Sequence, residues 1–147
     1  NTMHIIADRL EKEISIPLIH IATSTAIEIK KGGLKKVGLL GTKFTMDYDF
    51  FKSKLNELGI DVVIPLNQSD KDFINDTIFD ELTKGIIRTE TKERYLSIIE
   101  QLKNDGAEGI IAGCTEIPLI IKENDIDLPY FNTSLIHSKA AVKFALT

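Results

Sequence analysis

Short apolar runs rich in β-branched residues alternate with longer stretches whose apolar residues recur at helical spacing, and this alternation constrains the fold most tightly. The runs are Pro17 to Ala22, Val37 to Gly41, Asp61 to Pro65, Gly109 to Gly113 and Pro129 to Asn132. Each is too short for an ordinary helix, and none alternates strictly between apolar and polar residues. Strands covered on both faces read this way. Five strands in a parallel, doubly wound, Rossmann-like α/β sheet are therefore predicted.

The intervening stretches supply the helices. Met46, Phe50, Phe51, Leu55 and Leu58 fall on one helical face closed by Gly59, and Phe73, Ile74, Ile78, Phe79, Leu82 and Ile86 form a second stripe. Tyr95, Ile98, Ile99 and Leu102 make a third, for which Thr89 is the expected N-cap, with Glu90 and Glu93 complementing the helix dipole. Ser69 and Asp70 are candidate caps for the second. A last helix is expected over Ile136 to Leu146, and an opening one carries Ile6, Leu10 and Ile14. One faint echo runs through the chain: Asn1-Thr2 and Asn132-Thr133 each precede an apolar helical stretch.

Composition narrows the function classes. The 147 residues are 43% apolar and 27% charged with four prolines, which excludes a disordered or collagen-like chain. A chain of this size buries roughly 70% of its unfolded surface, enough for a core without staples. Eighteen Lys and Arg against 22 Asp and Glu leave a net charge of -4, a poor basis for gripping nucleic acid. No apolar run approaches the ~20 residues of a membrane span, and no signal-peptide pattern opens the chain. A cytoplasmic protein with no nucleic-acid or membrane partner is the expectation.

In open α/β sheets the ligand crevice lies beyond the carboxyl ends of the strands. The residues there are Gly41-Thr42-Lys43-Phe44-Thr45, Gly113-Cys114-Thr115-Glu116 and Asn132-Thr133. Hydroxyls and free helix N–H groups on such a rim are donors suited to a carboxylate. Cys114, the single cysteine, has two readings. At a strand-to-helix junction the helix N-terminus would stabilise a thiolate and depress its pKa, making a base or nucleophile; alternatively it is a buried, inert thiol closing a core strand. Gly113 would let backbone approach a ligand closely. Glu116, if it faces the thiol, would raise its pKa; otherwise it supports a helix start. His4, His20 and His137 are far apart in sequence and match no zinc pattern. His20 reads as a hydrogen-bonded core residue, and His137 either orients a site group or packs. On sequence grounds alone Lys84 neutralises a helix C-terminus.

The blocks Val37-Gly38-Leu39-Leu40-Gly41-Thr42-Lys43-Phe44-Thr45-Met46, Gly113-Cys114-Thr115-Glu116-Ile117-Pro118-Leu119 and Phe131-Asn132-Thr133 with Ile136-His137 together resemble the aspartate/glutamate racemase family, over essentially the whole chain. Glu116, where the glutamate racemase branch usually carries His, favours the aspartate racemase and broad-specificity branch. The resemblance implies two pseudo-symmetric lobes, each supplying one cysteine, and interconversion of L- and D-amino acids without pyridoxal phosphate or any other cofactor. One thiolate removes the α-proton and the opposite thiol returns one.

On this resemblance Cys114 is the second cysteine. The first normally precedes an Asn-Thr pair such as Asn1-Thr2, so the chain reads as starting one residue too late to hold it and as unable to racemise alone. Residues 1–30 would be the end of a truncated first lobe, 31–128 the second lobe and 129–147 the strand and helix that return. Asn1, Thr2, Thr45 and Thr115 are implied to hold the substrate α-carboxylate and amino group, with Thr42 on the same wall and Glu116 beside the thiol. Lys84 resembles the lysine that holds an acidic side chain in aspartate racemases. Asn132 stands where the family commonly has Asp. The partner is a small amino acid, with a homodimer also expected from family habit. Hydantoin racemase, maleate isomerase and an inactive ligand-binding domain are the competing readings.

Overall fold

A computed structural model describes residues 1–146. Strands β1 (Lys36–Leu40), β2 (Asp61–Val63), β3 (Ile110–Ala112) and β4 (Tyr130–Asn132) form one parallel sheet in the order β2-β1-β3-β4. From β1 the chain moves one way to β2, then returns across the sheet to β3 and β4. The switch in direction opens a crevice between the carboxyl ends of β1 and β3.

Helices cover both faces: α1 (Ala7–Glu13), α2 (Ile21–Lys31), α3 (Lys43–Asp47), α4 (Asp49–Asn56), α5 (Gln68–Asp80), α6 (Thr89–Asn104), α7 (Ile117–Ile120) and α8 (Thr133–Ala145), with short 3-10 turns at Thr2–Ile6 and Leu82–Lys84. The strand period of two sorts side chains between two cores. Leu40, Ile110 and Ala112 face Ile74, Ile78, Tyr95, Ile98 and Leu102 of α5 and α6. Val37, Leu39, Ile111 and Phe131 face Ile21, Ala26 and Ile29 of α2 and Phe51 and Leu55 of α4. Because both faces of the central strands are buried, residues 37–40 of β1 and all of β3 are without polar side chains. Each buried aliphatic side chain contributes roughly 1.5–3 kcal/mol.

Four of the five expected strands form. The fifth, Pro17 to Ala22, is extended only as far as His20 and then enters α2. Ile21, Ala22, Thr25, Ala26 and Ile29 are buried at helical spacing along α2, so the apolar run belongs to a helix start. The stripe from Met46 to Leu58 is broken at Tyr48, whose extended backbone separates α3 from α4. That break sends Met46 into one core and Phe51 and Leu55 into the other. Phe79 and Ile86 of the second stripe lie exposed, because α5 ends at Asp80. Arg88, not Thr89, occupies the N-cap of α6, and Asn67 precedes α5 in place of Ser69 or Asp70. α8 begins at Thr133, three residues before the expected start.

Candidate active site

The register that pairs Leu40 with Ala112, and Ala112 with Asn132, delivers Gly41-Thr42, Gly113-Cys114 and Thr133 to one rim. Close backbone approach makes the rim possible. A Cβ on Gly113 would lie 2.8 Å from the Leu40 carbonyl oxygen and 3.3 Å from Thr45 Cγ2, and one on Gly41 would lie 3.1 Å from the Gly113 carbonyl oxygen. Thr45 is thereby wedged against the residue that precedes the thiol.

Three hydroxyls converge there. Thr2 Oγ1 lies 3.4 Å from Thr42 Oγ1 and 3.5 Å from Thr45 Oγ1, and the Thr42 and Thr45 oxygens are 3.3 Å apart. These separations are long for O–H···O bonds, which centre near 2.7–2.8 Å. The hydroxyls are gathered without being consumed by one another, an arrangement that an anionic oxygen can satisfy. Thr42 also caps α3, its hydroxyl accepting from the Thr45 N–H.

The two Asn-Thr pairs meet at the same place. Asn1 Nδ2 donates to Thr133 Oγ1 at 3.1 Å, and the Thr133 hydroxyl donates to the Ala112 carbonyl at 2.8 Å. Asn1 Oδ1 is buried with no partner, as is Ser134 Oγ. Buried polar atoms without partners are uncommon and costly, and the Asn1 acceptor is suited to an ammonium donor. Asn132 caps α8 through Oδ1, which accepts from the Leu135 N–H at 3.1 Å. That role needs no charge, so Asn serves where Asp is usual. Thr133 was not singled out among the candidate residues, although the repeated Asn-Thr pair was the signal for it.

Cys114 is half-buried, and its thiol donates to Glu116 Oε2 at 2.9 Å. Burial, reinforced by the adjoining carboxylate, pushes the thiol pKa up to about 12. The expected lowering by a helix N-terminus does not prevail, because α7 is a single four-residue turn beginning three residues later. Burial works upward on Glu116 too, but bonds from Cys114 and Thr115 hold its carboxyl below the ordinary value. At neutral pH the pair is therefore a thiol donating to a carboxylate. Thr115 itself is exposed beside it.

Lys84 is not drawn into this cluster by any bond. It ends the 3-10 turn after α5, exposed, with Nζ 3.5 Å from Asp80. The turn packs against α7, next along the chain from Cys114 and Glu116. A cavity of about 620 Å³ lies at the β4 edge among residues such as Glu28, Pro118, Tyr130 and Asn132, and neither Cys114 nor the three threonines line it. The site is an open rim and not a closed chamber. Among the described residues no group of His, Cys, Asp and Glu is arranged to hold a metal ion, and no helix is long and apolar enough to cross a membrane.

Comparison with known proteins gives the family. Residues 1–142 match the family profile described as Asp/Glu/Hydantoin racemase. A glutamate racemase from Aquifex pyrophilus is 31% identical over 124 residues, 79% of this chain but 43% of its own length. The crystal structure of an aspartate racemase homologue from Pyrococcus horikoshii OT3 superposes with a TM-score of 0.90 at 39% identity. A Yersinia pestis protein provisionally described as an Asp/Glu racemase superposes at 0.95 with 42% identity. Both structures cover the whole of this chain, which spans 64% of each of theirs. The sheet order, the Cys114 rim and the profile match over residues 1–142 converge on one conclusion: the chain belongs to the Asp/Glu/Hydantoin racemase family.

Proposed function

We propose that the protein is a cofactor-independent amino-acid racemase acting on aspartate, glutamate or a wider set of amino acids, with Cys114 as one of two opposed acid/base thiols. The observation that carries this reading is the convergence of three hydroxyls joined only by long contacts of 3.3–3.5 Å, with the buried, unpartnered Asn1 acceptor, beside the wedge that fixes Cys114. An α-carboxylate fits the hydroxyls of Thr2, Thr42 and Thr45, and the ammonium group fits Asn1 Oδ1. Thr115 completes the carboxylate wall.

Removing an α-proton builds negative charge on the carboxylate, and preorganised donors stabilise it there. The thiol of Cys114 is protonated at rest, so its first competence is as the acid. The S–H bond breaks as the proton passes to Cα of the carbanion, leaving a thiolate. In the reverse direction that thiolate takes the proton from Cα. Glu116 keeps the resting thiol protonated and oriented. The opposing thiol belongs to the first lobe of a two-lobe fold, immediately before Asn1-Thr2 in the full-length gene product, with the lobes dividing near residues 30 and 128. Lys84 stands at the side-chain end and favours acidic substrates.

The test is racemisation of L-aspartate, L-glutamate, a neutral amino acid, a 5-substituted hydantoin and maleate by the full-length gene product, wild type and Cys114→Ser. D-aspartate or D-glutamate from the wild type, lost in Cys114→Ser, is expected. Turnover of hydantoin or maleate alone, or racemisation retained in the variant, overturns the reading.

A further inference from the structure

Three histidines separated by 16 and 117 positions in the sequence meet in the fold. The His4 ring lies 4.8 Å from the His20 ring at 63° and 5.4 Å from the His137 ring at 73°. They come from three elements: the opening 3-10 turn, the N-cap of α2 and the body of α8. None of them takes part in the proton transfer proposed above.

Their hydrogen bonds fix their protons. His137 Nε2 lies 2.7 Å from the Ile19 carbonyl, which can only accept, so that nitrogen carries hydrogen. His20 Nδ1 accepts from the Ala22 N–H at 3.1 Å, so that nitrogen presents its lone pair and caps α2. Adding a proton to His20 Nδ1 removes the cap. It also places positive charge at the N-terminus of an eleven-residue helix, where the dipole is already positive.

The segment that His4 belongs to is also held by the hydroxyl contacts of Thr2, the Asn1 to Thr133 bond and an Asp8 to Lys54 pair at 3.1 Å.

We propose that His4, His20 and His137 form a latch of packed imidazole rings that seats residues 2–13 against α2, α4 and α8, and that protonation of His20 releases it. The consequence for activity rests on the racemase reading, because Asn1 and Thr2 are that reading's substrate donors. The titratable groups facing His20 are His4 from the opening turn, His137 from α8, Lys54 from α4 and Asp8 from α1, with Glu11 lining the same shallow hollow. Asp8 favours the proton but is paired to Lys54, which opposes it. Burial and then His4 push His20 down to about 4, and burial and then His137 lower His4. The latch is therefore closed at neutral pH.

Amide hydrogen exchange on the 147-residue chain, corrected for intrinsic chemistry, tests this at pH 7.5 and pH 4.5. Amides of residues 4–13 are expected to lose at least about tenfold in protection at pH 4.5, while those of β1 and β3 do not. His20→Asn, which keeps a capping oxygen but cannot titrate, is expected to reduce the pH response severalfold; His20→Ala is expected to loosen the segment at both values. The wild-type series stands alone if a variant fails to fold. Unchanged protection at pH 4.5, parallel opening of β1 and β3, or a wild-type response in His20→Asn overturns the latch. No substrate enters the readout, so failure of racemisation leaves this result standing, and the converse also holds.

Discussion

Replacing Glu116 by Gln isolates the charge that faces the thiol. Gln keeps a carbonyl oxygen to accept from Cys114 Sγ and removes the negative charge 2.9 Å away. A unit charge at that distance, screened as by water, is worth about 1.4 kcal/mol, which is about tenfold in thiolate population. Burial is the first cause of the thiol's elevation from 9.0 to about 12, and the bond to Glu116 is the second. The single cysteine makes the assay clean: iodoacetamide alkylation followed by intact mass between pH 7 and pH 10 reports thiolate at one site only. Glu116→Gln is expected to alkylate about ten times faster than the wild type at a given pH below the thiol pKa. A rate unchanged or slower shows that Glu116 does not act on the sulfur and removes its part in holding the thiol protonated.

Other consequences are open to measurement. Gly113→Ala puts a methyl 2.8 Å from the Leu40 carbonyl oxygen and 2.9 Å from Leu39 Cδ1, so urea unfolding should show a loss of about 1–3 kcal/mol. A neutral result there would mean that the β1–β3 junction is looser than described. Lys84→Ala should leave stability within about 0.5 kcal/mol, because its pairing with Asp80 is exposed, yet raise KM for acidic substrates more than for neutral ones in the full-length gene product. Equal effects on both classes would remove Lys84 from the side-chain end of the site. For His20, the folded value near 4 lies below the ordinary 6.5, so the unfolded chain takes up its proton first. The stability it contributes is complete above pH 6.5 and is lost as pH falls toward 4. Discounted for a half-buried ring, denaturant curves in the wild type should lose about 1–2 kcal/mol more than those of His20→Asn over that range.

The sequence made the sheet legible because its strands are buried on both faces: β1 and β3 are unbroken apolar runs, and their flanking glycines mark where they stop. The run Leu18 to Ala22 looks the same locally. Only the burial of Thr25, Ala26 and Ile29 one and two turns later shows that it opens a helix, and a short apolar window cannot separate the two. The break at Tyr48 left no mark, since Asp47-Tyr48-Asp49 contains neither proline nor glycine. At the site, the rim beyond the strand ends was readable from strand-end position, and the structure brings the hydroxyls of Thr2, Thr42 and Thr45 together there. The thiol was harder. Whether Glu116 faces Cys114 depends on side-chain direction across one turn, which spacing does not fix. The histidine cluster was beyond reach, because it depends on packing between residues up to 133 positions apart.

The most direct measurement is deuterium incorporation at Cα of L-aspartate and L-glutamate in heavy water, with the D-enantiomer followed by chiral chromatography, for the full-length gene product and its Cys114→Ser variant. The account predicts exchange with D-product in the wild type and loss of D-product in the variant, with the fold retained because one sulfur is replaced by one oxygen. Equal D-product from both proteins would contradict it, since the α-proton would then be passing through some group other than Cys114.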